Sequence, residues 1–246
     1  MQPHPVVSRE EWLVARKALL AKEKEATHLR DEINADRLAL PWVKVDKNYV
    51  FDTPAGRKSL AELFDGRSQL ITYHFMLGPG WSAGCRGCSF VADHFDGALP
   101  HLEHHDVTLT AVSRAPLAEI ERYKSRMGWR FPWVSSFGSD FNFDYHVSFT
   151  KDELRNGKVV YNFREIDLAD ASEEQPGLSA FCKDEAGAVY HTYSSYTRGF
   201  EELIGTLMLL DRAPKGRNEK STMDFVRRHD EYGKEEKPES RARARG

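Results

Sequence analysis

The stretch "QLITYHFMLGPGWSAGCRGCSF", residues 69–90, constrains the fold more than any other. Its first nine residues are nearly all apolar, the pattern of a strand covered on both faces in a parallel sheet. A glycine-rich turn follows and sets Cys85 and Cys88 three residues apart, where the chain reads as entering a helix through "SFVADHFDGAL". A parallel strand needs a crossover and a parallel neighbour. Both are legible downstream: "DVTLTAVS" is a second buried strand, and "APLAEIERYKSRMG" is an amphipathic helix closed by Gly128. This alternation of strand and helix is that of βαβ units in an α/β domain.

The flanking segments read as follows. Ser8 and Glu11 form a capping box that starts a helix, and Trp12, Ala15, Leu19, Ala26, Leu29 and Ile33 fall near one face of it, as in an outer helix packed along one side. Pro41 ends that segment. In "WVKVDKNYVFDT" the period changes to two, predicting a hairpin that turns at residues 46–48, and "SLAELF" reads as a short helix. "FPWVSS" and "KVVYNFREI" read as strands, "LSAFCKDEAGAVYHTYS" as a hairpin reversing through "KDEAG", and "YTRGFEELIGTLMLL" as a closing helix. From Lys215 onward charges crowd together and the chain finishes in "RARARG", a composition expected to stay unordered. The expected organisation is a helical extension over 1–45, one domain over 46–212 and a charged tail over 213–246.

A formal charge of -3 over 246 residues argues against nucleic acid as a partner, since a duplex binder carries a clustered basic excess. No segment approaches the roughly 18 apolar residues of a membrane span, and "MQPHPVVSREEW" lacks the apolar core of a secretory signal. The expectation is a cytoplasmic protein. Three cysteines make no disulfide framework; in a reducing compartment a close C-x-x-C pair is catalytic or metal-binding more often than structural.

Placed in the first turn of a helix, the thiols meet unsatisfied backbone donors that favour a thiolate. Cys85, nearer the terminus, is the better nucleophile; Cys88, one turn on, is within reach to resolve a mixed disulfide. Arg86 adds a cation between them, which at about 5 Å is worth roughly 0.8 kcal/mol in water-like dielectric. Gly84 and Gly87 are expected to leave the pair thinly covered, and Trp81 to offer an apolar platform beside it. Two other readings stand beside this one: a metal site, and inert thiols acting as small apolar filler. The metal reading lacks a second C-x-x-C. His94 would point about 240° away from Cys88 on a continuous helix, and His101, His104 and His105 read as a solvated face. His74 reads as a packed histidine, with proton acceptance near the thiols as its functional alternative.

With these residues in hand, the βαβ order with C-x-x-C at the first strand-to-helix handover resembles the thioredoxin fold. "VSRAPLAEIERYKSRMGWRFPWVSSFGSDFNFDYHV" is similar to the peroxiredoxin run of strand, helix, F-P strand, S-D and Y-x-V. More narrowly, "YHFMLGPGWSAGCRGCSFVADHFDG", "SRAPL", "FPWVSSFGSDFNFD", "YHTYSSYTRG" and "LDRAPKGR" closely resemble the bacterial family catalogued as domain of unknown function 899, over about residues 8–232. The resemblance implies a thioredoxin-like, peroxiredoxin-like central mixed β-sheet flanked by helices. "PGWSAGC" is one residue shorter than the peroxiredoxin motif P-x-x-x-T-x-x-C, and Gly87 stands where thioredoxins have proline. The fold also implies a proline opposite the dithiol, before the hairpin strand; Pro176 in "EEQPGLSAF" occupies that position, its cis or trans state open. Cys182 is expected in the core at the far end of that strand. The implied chemistry is thiol–disulfide exchange by Cys85 and Cys88 without a cofactor or metal, on a disulfide or peroxide substrate and with an electron donor the sequence does not identify. The alternatives are peroxide reduction by the same pair, and a non-catalytic metal- or partner-binding protein; self-association is left open.

Overall fold

The computed structural model describes residues 4–167 and 172–233. Helix α1 (Arg9–Leu38) is capped as its sequence predicts: the Ser8 hydroxyl accepts from the Glu11 N–H at 3.2 Å, and the Glu11 carboxylate accepts from the Ser8 N–H at 2.9 Å. None of its residues is buried, so the expected packing along one side is not found. It touches the body through Arg30, 3.6 Å from Glu202, and through Arg37, whose guanidinium lies 4.9 Å from the Tyr193 ring.

Strands β1 (Val43–Lys44), β2 (Val50–Thr53) and β3 (Gly56–Ser59) follow. The hairpin expected at 46–48 does not form. Instead β1 pairs with residues 190–191 at one edge of the main sheet, and β2 forms a hairpin with β3 at the other. Alternation marked the strands but not their partners. Phe51, fully buried, meets Phe141 edge-on at 4.9 Å and carries β2 to the far edge.

After a 3₁₀ turn over Ala61–Phe64 come β4 (Gln69–His74), α2 (Arg86–Ala92), α3 (Leu99–His104), β5 (Val107–Ser113), α4 (Leu117–Met127) and β6 (Trp133–Ser135). The single helix read through "SFVADHFDGAL" is two. The Asp96 carboxylate, which receives the N–H groups of Arg130 and Phe131, occupies the break. Gly128 closes α4 at φ 68°, the left-handed conformation that glycine adopts most readily.

Short helices α5 (Phe141–Asp144) and α6 (Lys151–Arg155) lead to β7 (Lys158–Tyr161) and β8 (Arg164–Asp167). The strand read in "KVVYNFREI" is this two-stranded hairpin, turning at Asn162 and Phe163 with φ of 51° and 61°. Strands β9 (Gly177–Lys183) and β10 (Val189–Tyr196) form the hairpin expected through "KDEAG". The closing helix is broken into a 3₁₀ turn and α7 (Gly205–Leu210).

The main sheet has the order β1-β10-β9-β4-β5-β6-β2-β3. Strands β4, β5 and β6 are parallel, and β9 runs antiparallel to β4. The β10-β9-β4-β5 order, with α2 crossing from β4 to β5, makes this a thioredoxin-like mixed sheet flanked by helices. Because successive side chains on β4 point to opposite faces, Tyr73 joins the layer of Phe75, Cys88, Tyr123 and Trp133. His74 joins the other face: it stacks on Phe141 at 5.5 Å and its Nε2 lies 2.9 Å from the Ser179 hydroxyl.

Burial lowers the His74 pKa to about 3, with the His191 charge adding to the effect. A histidine depressed in the folded state contributes stability that is present above its unfolded pKa near 6.5 and lost as pH falls toward the folded value. From pH 7 to 4.5 this group alone is expected to remove about 2–3 kcal/mol of stability. Urea melts of the wild type and His74→Gln at both pH values check it; an equal loss in the variant assigns the acid sensitivity elsewhere.

Residues 223–231, within the segment expected to stay unordered from Lys215, pack against the body. Val226 is buried and Phe225 meets Phe90 edge-on at 6.2 Å. Three anchors hold the segment: Arg126 grips Asp230 and Glu231, His229 sits 2.6 Å from Asp93, and Arg217 pairs with Asp211 and Glu201. The rest of the expected tail, 234–246, lies outside the described residues.

Candidate active site

The chain leaves β4 extended as far as Leu77, where Phe75 donates to Val112 O at 2.9 Å and Ala115 donates to Leu77 O at 2.9 Å. Residues 78–84 loop out, and the chain then returns to Met76. The Cys85 N–H donates to Met76 O at 3.1 Å, and the Met76 N–H donates to the Cys88 sulfur at 3.5 Å. Both cysteines are thereby tied to one residue at the end of the central strand. They are free thiols, Cys85 half-buried and Cys88 buried.

Gly84 is required by close approach. A Cβ there would lie 2.5 Å from the Phe75 ring and 2.8 Å from that of Tyr123, so Gly84 is covered by aromatics and does not leave the pair open as expected. Both rings are themselves buried among other aromatics. Gly84→Ala is therefore expected to cost about 1–3 kcal/mol through overpacking. Urea denaturation measures it, and a neutral result would mean that the loop moves freely. Gly87 is open on the dithiol side: a Cβ would be 3.8 Å from the Cys85 sulfur and 3.6 Å from the Met223 methyl.

Cys85 is the N-cap residue of α2, with φ -54° and ψ 137°. Its pKa is lowered to about 6: the Cys88 thiol donates to its sulfur, burial opposes the shift, and the Cys88 and Gly87 N–H groups and the Arg228 charge reinforce it. The amide contacts are directed at the sulfur without closing a full cap hydrogen bond. Cys88 is pushed well above the ordinary thiol range by burial and by its hydrogen bond to Cys85. Two thiols one turn apart are thus driven in opposite directions, the half-buried one toward the thiolate and the buried one toward the thiol.

The other expected residues fall as follows. Arg86 occupies the first helical position of α2, but the cation among the leading influences on Cys85 is Arg228, from the segment read as tail. Trp81 is partly buried against the core layer that contains Cys88 and folds back on Gly78, its Nε1 2.9 Å from where a Cβ would sit. Pro176 immediately precedes β9, whose Gly177 pairs with His74, so it borders the end of β4 from which the dithiol loop departs. Its carbonyl accepts the Tyr161 hydroxyl at 2.6 Å, and none of the described peptide bonds is cis. Cys182 pairs with Gln69 at the opposite end of β4, half-buried and not in the core. His74 faces away from the thiols and cannot serve them; the β4 residue that does face them is Tyr73.

Besides Arg228, three contributors escaped the sequence reading. The buried Tyr73 hydroxyl, without a well-formed hydrogen bond, influences Cys88 and lowers its pKa against the larger effect of burial. Ser89 donates to Cys85 O at 2.7 Å and sits 2.8 Å from the Tyr123 hydroxyl. Arg114, in "SRAPL", donates at 2.6 Å to the buried Glu174, which also receives Ser148 at 2.6 Å and so fixes the loop before Pro176. Period-two alternation along β4 could have found Tyr73. The Tyr123 contact of Ser89 and the Glu174 contact of Arg114 join residues distant in sequence. Among the described residues, no group of three or more His, Cys, Asp or Glu side chains converges as metal ligands would, and no helix is long and apolar enough to cross a membrane.

The fold and the site together define a thioredoxin-like protein with two neighbouring cysteines at the start of its first crossover helix. The chain belongs to the family described as bacterial protein of unknown function (DUF899), which it matches over residues 1–232. Among curated proteins none matches it. Among solved structures it is similar to a cysteine-to-serine variant of peroxiredoxin Q from Xanthomonas campestris (13% identity, 66% of this chain and 90% of that one, TM-score 0.41). It is also similar to peroxidoxin BcpB from Mycobacterium tuberculosis (12% identity, 69% and 97%, TM-score 0.41).

Proposed function

We propose that the protein is a thiol–disulfide oxidoreductase working in a reducing cytosol, with Cys85 as nucleophile and Cys88 as resolving thiol. The observation that carries this reading is the placement of both thiols against Met76 at the start of α2, the Cys85 N–H on Met76 O and the Met76 N–H on the Cys88 sulfur, with Cys85 half-buried and Cys88 buried; the Cys85 pKa is accordingly lowered and that of Cys88 raised. The Cys85 thiolate attacks one sulfur of a substrate disulfide, forming a mixed disulfide and releasing the other half as a thiolate. Cys88 then attacks the Cys85 sulfur, its proton passing to a released substrate thiolate. An intramolecular disulfide forms and the second half of the substrate departs. The substrate gains two electrons and the dithiol loses two, so an external thiol reductant must regenerate the protein. Trp81 and Pro176 border the substrate side of this exchange.

The test follows reduced protein with an aromatic disulfide and, separately, with a hydroperoxide, using intact mass and peptide mapping. A Cys85–Cys88 disulfide formed faster with the disulfide supports the proposal, whereas faster oxidation by hydroperoxide would assign the pair to peroxide reduction. The rate of Cys85 alkylation is expected to rise with pH through a midpoint near 6. A midpoint at the ordinary thiol value, with no exchange, removes the proposal.

A further inference from the structure

The charged segment at the end of the described chain lies directly over the dithiol helix, and its chemistry is specific. Arg228 directs two of its nitrogens at one oxygen: Nε and Nη2 donate to Gly84 O at 3.0 and 2.8 Å. Its third nitrogen donates to Glu231 at 2.9 Å, and the side chain is only 11% exposed. A planar guanidinium in this fork fixes direction as well as distance, which a lysine ammonium cannot reproduce. The carbonyl it grips belongs to the peptide whose N–H is that of Cys85. On the other side of Cys85, the Ser89 hydroxyl holds its own carbonyl. The backbone on both sides of the cysteine is therefore held by side chains.

The segment is built to keep that grip. Met223 adopts φ 61°, a conformation uncommon for residues other than glycine, asparagine and aspartate, with its methyl toward Gly87. Val226 is buried, and Phe225 packs on Phe90 of α2. Arg126 of α4 holds Asp230 and Glu231 at 2.9 Å each, and His229 meets Asp93 at the end of α2. The strap thus spans the two helices flanking the thiol loop and delivers one buried cation to it.

We propose that the strap Met223–Glu231 completes the dithiol site, with Arg228 as a positioning residue that locks the Gly84–Cys85 peptide and holds positive charge beside the Cys85 sulfur. This rests on the reading of Cys85 as nucleophile. The charged and titratable groups that act on Cys85 are Cys88 of α2, Tyr73 of β4 and Arg228 of the strap, with Arg86 next to it in the chain; Arg228 in turn acts on Tyr123 of α4 and pairs with Glu231 of the strap. Among the described residues, Arg228 is the side chain that holds the carbonyl of the Gly84–Cys85 peptide, whose N–H donates to Met76 O. The role is independent of turnover and can be read from alkylation alone.

The experiment measures iodoacetamide alkylation of Cys85 against pH in the full chain, by peptide mapping, for the wild type, Arg228→Gln and Arg228→Lys. Arg228→Gln keeps a donor for the carbonyl and removes the charge; its midpoint is expected to rise and its rate at pH 5, below the wild-type midpoint, to fall about threefold, the effect of one unit charge about 6 Å away in high dielectric. Arg228→Lys keeps the charge and loses the fork, and an intermediate rate is expected. Circular dichroism and thermal melts establish that each variant is folded, and a variant that does not fold leaves the other as the test. Wild-type midpoints and rates in the folded variants overturn the proposal. Altered alkylation together with no disulfide exchange in any form, wild type included, would instead remove the proposed function and leave the positioning role standing.

Discussion

Cys85→Ser is expected to abolish disulfide reduction, lowering the rate by at least about a thousandfold, as loss of a nucleophile does in other covalent enzymes. Cys88→Ser is expected to behave differently. The first attack survives, resolution does not, and a mixed disulfide accumulates with a mass increment equal to half the substrate. The asymmetry comes from environment, since both residues are thiols in the same turn of helix. Cys88 is 2% exposed and its ionisation is suppressed by burial. Cys85 has access to solvent, accepts from Cys88 and faces two backbone N–H groups. Intact mass spectrometry of each variant after reaction with an aromatic disulfide decides the matter. An adduct that accumulates on Cys85→Ser in place of Cys88→Ser would reverse the two roles, and equal turnover by Cys85→Ser and the wild type would remove the dithiol from the chemistry.

Arg114→Met is expected to lower stability by about 3–5 kcal/mol at pH 7 because it strands a buried carboxylate. The Glu174 side chain is 2% exposed, and among the described residues its carboxylate keeps Ser148 as its side-chain partner once Arg114 is gone. Burial already raises the Glu174 pKa, with Arg114 and Ser148 opposing, so removing the guanidinium raises it further. A carboxyl with a raised folded pKa contributes stability that is fully present below the unfolded value near 4.3 and is lost as pH rises through the folded value. The variant should therefore recover part of its deficit between pH 7 and pH 5 as Glu174 takes up a proton. Urea melts at both pH values measure this, and a deficit independent of pH would show that packing of Arg114 on Phe143, 5.1 Å away, carries the effect. Because Glu174 anchors the loop that ends in Pro176, the loss should also slow disulfide exchange.

What the sequence determined by itself was local and periodic. The apolar run into a glycine turn and helix identified β4, the dithiol and its side of the sheet, while the capping box at Ser8 and the left-handed Gly128 marked helix ends that the structure reproduces. These signals lie within one or two turns of chain, where propensity and patterning act. Tertiary structure decided everything that depended on partners. It sent β1 and β2 to opposite edges of the sheet, split "KVVYNFREI" into a hairpin and turned His74 away from the thiols in favour of Tyr73. It also brought Arg228 to the Gly84 carbonyl. That last contact was hidden because the segment around it is rich in charge, and charge-rich sequence reads as unordered when each residue is weighed for its own burial. Its order comes from ion pairs with α2 and α4 and from Val226 seated in the core, interactions that exist only once those helices are already packed.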